Sequence, residues 1–364
     1  MRDRPHINII VTTFILNILG ILSLFSALHY KGDFVGQAIF FKQLIWVVSG
    51  WVLLFMFAYI NYRVFFELSW PIYIITLMLL LGVMFFGSVH MGAKRWIDLG
   101  SFSMQPSEFA KVTTVLLMAR FFSYIFSRKE GFFRSFLNEV IFPFLPLSIC
   151  VLLIYKQPDL GTALVIIFVF FLMGLGCGMR KLHIIIIVCF FLLALPFGWH
   201  FLKDYQRERI MVFLNPDIDP LGIGYTIIQS KIAIGSGGIL GKGFLSGTQS
   251  QLNFMPARHT DFIFTVLSEE WGFVGSMFLL YLYYVLLNNI LKIAYYARDK
   301  FGFCLGIGIF SLFFIHIFIN ISMVMGLLPV VGIPLAFFSY GGSYSLINFI
   351  LLGIVFNIYR KNSL

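Results

Sequence analysis

Ten apolar runs punctuate the chain, at about 7–28, 40–60, 71–89, 109–126, 140–154, 160–177, 182–202, 262–290, 303–328 and 344–358. Most approach the roughly 20 residues that an α-helix needs to cross the hydrocarbon core of a bilayer. None shows the alternation over about ten residues that marks a barrel strand. The pattern predicts an all-α, polytopic membrane protein of about ten transmembrane helices, with strands unexpected. The fifth and tenth runs are short, and the even count, which puts both termini on one side, rests on them.

The long polar interval 203–260 separates the seventh run from the eighth. It is expected as a large extracytoplasmic loop within a single membrane domain spanning 1–364. Asn215-Pro216-Asp217 and Asp219-Pro220-Leu221-Gly222 carry turn chemistry. Over 225–234, Ile227, Ile228 and Ile232 share a helical side with Lys231 beside them, the pattern of a helix lying at headgroup level. Gly235-Ser236-Gly237-Gly238, then Gly241 and Gly243, break that pattern. Such a turn brings backbone amides within reach of a phosphate, but it lacks the strand-turn-helix context of a nucleotide loop. A plain flexible turn is the simpler expectation.

Composition agrees with the membrane reading: 60% of residues are hydrophobic, 12% are charged and the mean hydropathy is +0.93, against about a quarter charged in a soluble domain. The net charge of +10 does not point to nucleic acid, because the basic residues sit singly at the ends of apolar runs. They bear on orientation instead. Arg2, Arg4, Arg63, Arg128, Lys129, Arg134, Arg180, Lys181, Lys292, Arg298, Lys300, Arg360 and Lys361 fall on the side of the termini. By the positive-inside rule both termini are cytoplasmic and the long loop is outside. The run 7–28 exceeds the roughly 7 to 15 residues of a signal-peptide core, so it reads as an uncleaved first span. Cys150, Cys177, Cys189 and Cys304 show no C-x-x-C or His/Cys spacing, so neither a disulfide framework nor a zinc site is expected.

In a chain so poor in charge, ionisable groups beside or within apolar runs are candidates for function. Arg258, His259, Asp261, Glu269 and Glu270 fall together where the long loop enters the eighth run. On a regular helix starting near Asp261, that residue would share one side with Thr265, Ser268, Gly272 and Gly275, a small and polar stripe facing the bundle interior or a wet cleft. Glu269 flanks the stripe and Glu270 points nearly opposite. The plainer reading of Asp261 is a carboxylate favoured by the helix dipole, and that of Glu269 and Glu270 a buried ion pair or a packing role.

Glu108 and Lys111 lie three apart at the start of the fourth run, after Gln105-Pro106-Ser107, where Pro106 suits a first helical turn. A lysine in an apolar span needs a partner, which Glu108 or Asp261 would supply; a purely structural pair is equally consistent. Lys94-Arg95-Trp96 upstream has the chemistry of an interfacial anchor. Gln157-Pro158-Asp159 reads as a helix start with Asp159 near its positive end. The dense Pro and Gly of 326–343 imply irregular backbone at membrane depth, tolerated where it is buried or lines a cavity. No internal repeat is apparent.

Taken together, RWIDLGSFSMQPSEFAK, KQPDLGTA, NPDIDPLGIGYTIIQSKIAIGSGGILGKGF, QSQLNFMPARHTDFIFTVLSEEWGFVG and GLLPVVGIPLAFFSYGGS resemble the SEDS family of bacterial membrane glycosyltransferases, and its rod-elongation branch more than its division branch. The resemblance runs along nearly the whole chain. It implies polymerisation of lipid II, a disaccharide-pentapeptide on undecaprenyl diphosphate, into a growing glycan strand at the outer face of the bacterial cytoplasmic (inner) membrane, during cell elongation. Asp261 matches the family's essential aspartate. As general base it would take the proton of the acceptor sugar hydroxyl during an inverting attack on the donor.

Arg258, Arg207, Arg209, Lys231 and Lys242 are candidates to hold the diphosphate leaving group, with Arg258 first among them. Glu108, Lys111, Asp159 and Glu269 form a supporting charge network, in which Lys111 would pair with Asp261. No cofactor is required and no protein metal site is expected; a divalent cation such as Mg is an option for the diphosphate. The implied partners are membrane lipids and a class B penicillin-binding transpeptidase, with no nucleic acid. Two positions depart from the family pattern: Ala257, where a Glu is expected, and Tyr344, where Ser is frequent. A lipid II flippase, the septal polymerase of the same family and a scaffold for cell-wall enzymes are the competing readings.

Overall fold

The computed structural model describes residues 4–29, 34–90, 93–100, 102–125, 131–202, 204–219, 222–251 and 259–363. All ten apolar runs are helical. In order, α1 is Pro5–Leu28, α2 Phe34–Tyr59, α3 Val64–Phe86 and α4 Pro106–Ile125. A short α5, Phe132–Phe136, continues through a π turn, Leu137–Ile141, into α6, Phe142–Lys156. Then come α7 Leu160–Gly176, α8 Lys181–Phe201, α9 Asp204–Leu214, α10 Ile223–Ser236, α11 Thr248–Gln251, α12 Ile263–Tyr295, α13 Lys300–Val324 and α14 Gly342–Ser363. Seven of these segments are long and apolar enough to cross a membrane on their own, and α7 and α8 are shorter apolar helices. The protein is a polytopic, mostly helical membrane protein.

Strands were not expected, yet three short ones pair antiparallel between α3 and α4: β1 Ser88–His90, β2 Ala93–Leu99 and β3 Phe102–Met104. They are too short to leave a periodic signal. The pleat of β2 sends neighbouring side chains to opposite faces. Lys94 turns back to cap α3, donating to the carbonyls of Met84 and Phe85 at 3.2 and 2.7 Å. Arg95 turns the other way, to 3.6 Å from Asp159. The segment is thus more than an interfacial anchor.

The interval 203–260 holds α9, α10 and α11 rather than open loop. On α10 Gly224, Thr226, Ile227, Ser230 and Ala233 are buried, while Ile232 is exposed. That face packs on α12, so the isoleucines do not share one membrane-facing side.

Following α10, the glycine-rich stretch packs on α12, and its Gly241, Lys242 and Gly243 amides are engaged by main-chain carbonyls and not held open for a phosphate. It completes a break in α12. At Gly272 the backbone takes φ 64° and ψ −156°, a conformation essentially confined to glycine. The amides of Lys242 and Gly243 donate to the carbonyls of Glu269 and Glu270, both at 3.0 Å, and the amides of Phe273 and Val274 donate to the carbonyls of Gly238 and Ile239 at 2.9 and 3.1 Å. Backbone groups freed by the kink are thereby satisfied within the protein. The expected polar stripe is buried at Thr265, Ser268, Gly272 and Gly275. It is not one continuous helical face, because the kink divides it and Asp261 precedes the helix.

Among the seven candidate spans α13 is the most deeply buried. It packs on α12, α4 and α7, and small residues let the neighbours approach. A Cβ at Gly308 would fall 2.6 Å from Val115 on α4. This central helix presents the polar groups that build the site.

Candidate active site

Asp261 lies in the turn at 259–262 that leads into α12, outside the spanning helix, and is partly buried. Main-chain bonds fix that turn from two sides. From α13, Asn320 Nδ2 donates to the carbonyl of Asp261 at 2.8 Å and to that of Ile333 at 2.6 Å. From the segment before α14, Ser339 Oγ donates to the carbonyl of Thr260 at 2.7 Å and the amide of Tyr340 to that of His259 at 3.1 Å. The Asp261 carboxylate faces the backbone of Gly332, where a Cβ would come 3.4 Å from Oδ2.

The irregular backbone forecast for 326–343 is therefore one wall of the site. Its carbonyls are gripped in turn: that of Val330 by Arg209 Nη1 at 3.0 Å, that of Ile333 by Asn320 and that of Pro334 by the Tyr344 hydroxyl at 3.0 Å.

Burial pushes the Asp261 carboxyl up to about 6, against the pull of the Arg209 and Arg95 guanidiniums, which favour its ionised form. Arg209 comes from α9 and Arg95 from β2. Arg95 is itself held by the buried Asp159, which caps α7 by accepting from the Thr162 amide at 3.2 Å. Its other oxygen accepts from the Thr162 hydroxyl at 3.0 Å, and from Gln105 and Ser107 at 3.2 Å each. So Asp159 is both the expected helix start and the anchor of an arginine that acts on Asp261.

Deeper in the bundle, Lys111 does not pair with Asp261 as expected. Its Nζ lies 2.8 Å from Glu108 Oε1 and 3.1 Å from His316 Nε2, and His316 Nδ1 lies 2.9 Å from the Tyr344 hydroxyl. The i, i+3 spacing of Glu108 and Lys111 on α4 brings them together first, which leaves Lys111 one further partner on α13.

The remaining predicted residues scatter. Lys242 pairs with the buried Glu269 at 2.8 Å, and Glu269 also accepts from the Thr248 hydroxyl at 3.1 Å and the Gln249 amide at 3.0 Å. This is the buried pair foreseen for Glu269, and it ties Lys242 to the fold. Glu270 accepts from the Ser26 hydroxyl of α1. Lys231 is exposed on α10 with its stem against Gly326. Arg207 is 3.9 Å from Asp204 and donates to the carbonyl of His200 at 3.1 Å. Arg258 and Ala257 lie outside the described residues.

Of the four cationic candidates among the described residues, Arg209, Arg207, Lys231 and Lys242, Arg209 is the one the structure brings to Asp261. Arg95, His316, Asn320 and Ser339 join the site from the structure and not from the sequence pattern. Their signal is weak, since a lone polar residue in an apolar run acquires meaning only through a distant partner. Among the described residues, no group of three or more His, Cys, Asp or Glu converges as a metal site would require.

The family model FTSW_RODA_SPOVE, described as cell cycle protein, matches residues 6–364. The chain is 41% identical over 373 residues to the peptidoglycan glycosyltransferase MrdB of Escherichia coli K12, covering 100% of this chain and 96% of that one. Its fold is similar to a solved structure of a peptidoglycan synthase complex that coordinates polymerisation and crosslinking, with a TM-score of 0.81, 32% identity and 97% of each chain covered. It is also similar to the crystal structure of the rod shape determining protein RodA of Thermus thermophilus, with a TM-score of 0.72, 28% identity and coverage of 98% of this chain and 97% of that one.

Proposed function

We propose, for a chain that belongs to the SEDS family of FtsW, RodA and SpoVE and is a peptidoglycan glycosyltransferase, that Asp261 is the general base of glycan polymerisation from lipid II. The observation that carries this is a partly buried carboxylate, raised to about 6, set against the Gly332 backbone and under the influence of two arginines. At neutral pH it is ionised and a stronger base than an exposed aspartate. The acceptor sugar hydroxyl attacks the donor's anomeric carbon and gives its proton to Asp261. The new carbon–oxygen bond forms as the bond to the diphosphate breaks, and the electron pair leaves with the diphosphate. Configuration at that carbon inverts.

Arg209 and Arg95 supply positive charge for the leaving diphosphate, with Arg258 as a further ligand. Activity measured with and without chelator tests whether Mg shares that load.

The helices α4, α7 and α8 complete ten spans with those that qualify on their own. Lys111 crosses in α4 because Glu108 neutralises it. Both termini then face the cytoplasm and Asp261 faces outward, in the cytoplasmic membrane. The likeness to a chain of a synthase complex, together with the resemblance to the elongation branch, supports a class B penicillin-binding transpeptidase as partner and cell elongation as the setting.

The test is incubation of the purified full-length protein in detergent, with and without that partner, with labelled lipid II. Asp261→Ala and Asp261→Asn should lower glycan formation by about 10² to 10⁴ fold, the usual contribution of a general base, with folding intact. An active pair of variants overturns the assignment.

A further inference from the structure

Three groups with no part in the proposed proton transfer or charge neutralisation form one buried chain. Lys111, His316 and Tyr344 are 4%, 2% and 6% exposed. Donor and acceptor roles along the chain follow from one end. The Lys111 ammonium has only donors, so at 2.8 Å from Glu108 and 3.1 Å from His316 Nε2 it donates to both. His316 Nε2 is then an acceptor, the ring is neutral, and its proton is on Nδ1. Nδ1 donates to the Tyr344 hydroxyl at 2.9 Å, that hydroxyl donates onward to the carbonyl of Pro334 at 3.0 Å, and the imidazole also reaches the same carbonyl directly. The chain runs one way and ends on the wall that faces Asp261.

His316 and Asn320 are one turn apart on α13, on the same face. Asn320 holds the carbonyls of Asp261 and Ile333, and Tyr344, ordered by His316, holds the next carbonyl of the same wall. The two grips act on adjacent residues from adjacent turns.

We propose that His316 and Tyr344 are positioning residues for the glycosyl transfer, transmitting the Glu108–Lys111 pair to the Pro334 carbonyl so that the 330–334 wall stays closed against Asp261. The proposal rests on Asp261 being the base. It gives Tyr344 a reason to be Tyr: a serine hydroxyl, one bond beyond Cβ, does not span from α14 to both His316 and Pro334. Tyr344→Phe deletes one hydroxyl with little change of volume. His316→Gln keeps an amide oxygen to accept from Lys111 and an amide N–H to donate to Tyr344, whereas His316→Leu keeps neither.

The charged groups acting on Asp261 are Arg209 from α9 and Arg95 from β2, and Tyr344 on α14 lies within the field of the Asp261 carboxylate. A loosened wall admits water to the carboxylate and relieves its desolvation, which is the dominant cause of its raised value. The acid limb of the rate then moves down, toward the ordinary aspartate range.

The experiment measures glycan polymerisation from lipid II by the full-length protein across pH, for wild type, Tyr344→Phe, His316→Leu, His316→Gln and Asp261→Asn. Thermal melting of each variant normalises rates to folded protein. Tyr344→Phe and His316→Leu are expected to lower kcat by about tenfold, the loss of one 1.4 kcal/mol interaction. KM should stay within about twofold and the acid limb should shift to lower pH, while His316→Gln retains most of the rate. Wild-type kcat and an unmoved acid limb in Tyr344→Phe, beside an inactive Asp261→Asn, overturn the positioning role alone. An active Asp261→Asn overturns the base on which it rests. A rate loss fully explained by lost folded protein, with no pH shift and no rescue by Gln, reduces the chain to packing and also overturns the proposal.

Discussion

Asn320 and Asp261 are joined through the backbone of the aspartate, not its carboxylate: Asn320 Nδ2 donates to the Asp261 carbonyl at 2.8 Å and leaves the side chain free to face Gly332. The same nitrogen donates to Ile333 at 2.6 Å, so one buried amide sets the spacing between the carboxylate and its wall. Asn320→Ala orphans two carbonyls away from water and should cost about 2 to 4 kcal/mol of stability. Freed from its clamp, Asp261 shifts relative to the acceptor hydroxyl, and a displacement of about 1 Å is expected to lower kcat by about 10². Melting temperature and single-turnover rate check the two effects separately.

Asp261 also carries a stability cost of known sign. Its folded value of about 6 stands above the usual 3.8, so the folded state holds the proton more tightly than the unfolded chain. Stability is fullest below pH 3.8 and declines as pH rises through 6, with the whole cost present at neutral pH. Asp261→Asn removes a charge and not the shape. It should stabilise the protein by up to about 3 kcal/mol at pH 7.5 and by little at pH 4, while abolishing polymerisation. Melting curves at the two pH values decide this. Equal stability changes at both would mean that the carboxylate is not held in a desolvated site.

The Arg209 guanidinium pulls the other way, favouring the ionised carboxylate, while Nη1 holds the Val330 carbonyl at 3.0 Å. Arg209→Ala removes the attraction, so the acid limb of kcat/KM should move above pH 6, and binding of the diphosphate-bearing donor should weaken with it. Arg209→Lys keeps the charge and should keep the limb near its original place, but it lacks the fork needed for the wall and a phosphate together. A limb unmoved in Arg209→Ala would separate this arginine from Asp261.

How far the chain was legible follows from where each partner lies. Glu108 and Lys111 are three residues apart on α4, and Asp159 caps the helix that it begins, so local spacing predicts both contacts. The ten apolar runs likewise become helices because the periodicity that defines them is local. His316 and Asn320 look like isolated polar residues in an apolar run, and their partners Lys111, Tyr344, Asp261 and Ile333 arrive from α4, α14 and two connecting segments. Arg95 reads as an interfacial anchor until the pleat of β2 separates it from Lys94. The family resemblance singles out Asp261 and implies Lys111 as its partner, whereas the spacing leaves Lys111 open to Glu108 or Asp261. The nearer Glu108 wins that competition.

The most distant of these dependencies concerns glycine. Gly272 interrupts α12 with φ 64°, and an added Cβ would stand 2.3 Å from the amide nitrogen of Gly241 and 2.7 Å from the carbonyl oxygen of Ile239. Both obstacles are backbone atoms that cannot rotate away, and they belong to the turn whose bonds complete the break. Gly272→Ala combines backbone strain with a clash and should destabilise the protein by about 3 kcal/mol or more. Gly82→Ala serves as the contrast: it lies within the regular helix α3, with nothing within 4 Å of the added carbon. Helix propensity favours alanine there by up to about 1 kcal/mol, so its melting temperature should hold or rise. A Gly272→Ala protein that melts like wild type would show that the kink is not required, and that the 235–243 turn packs beside α12 without completing it.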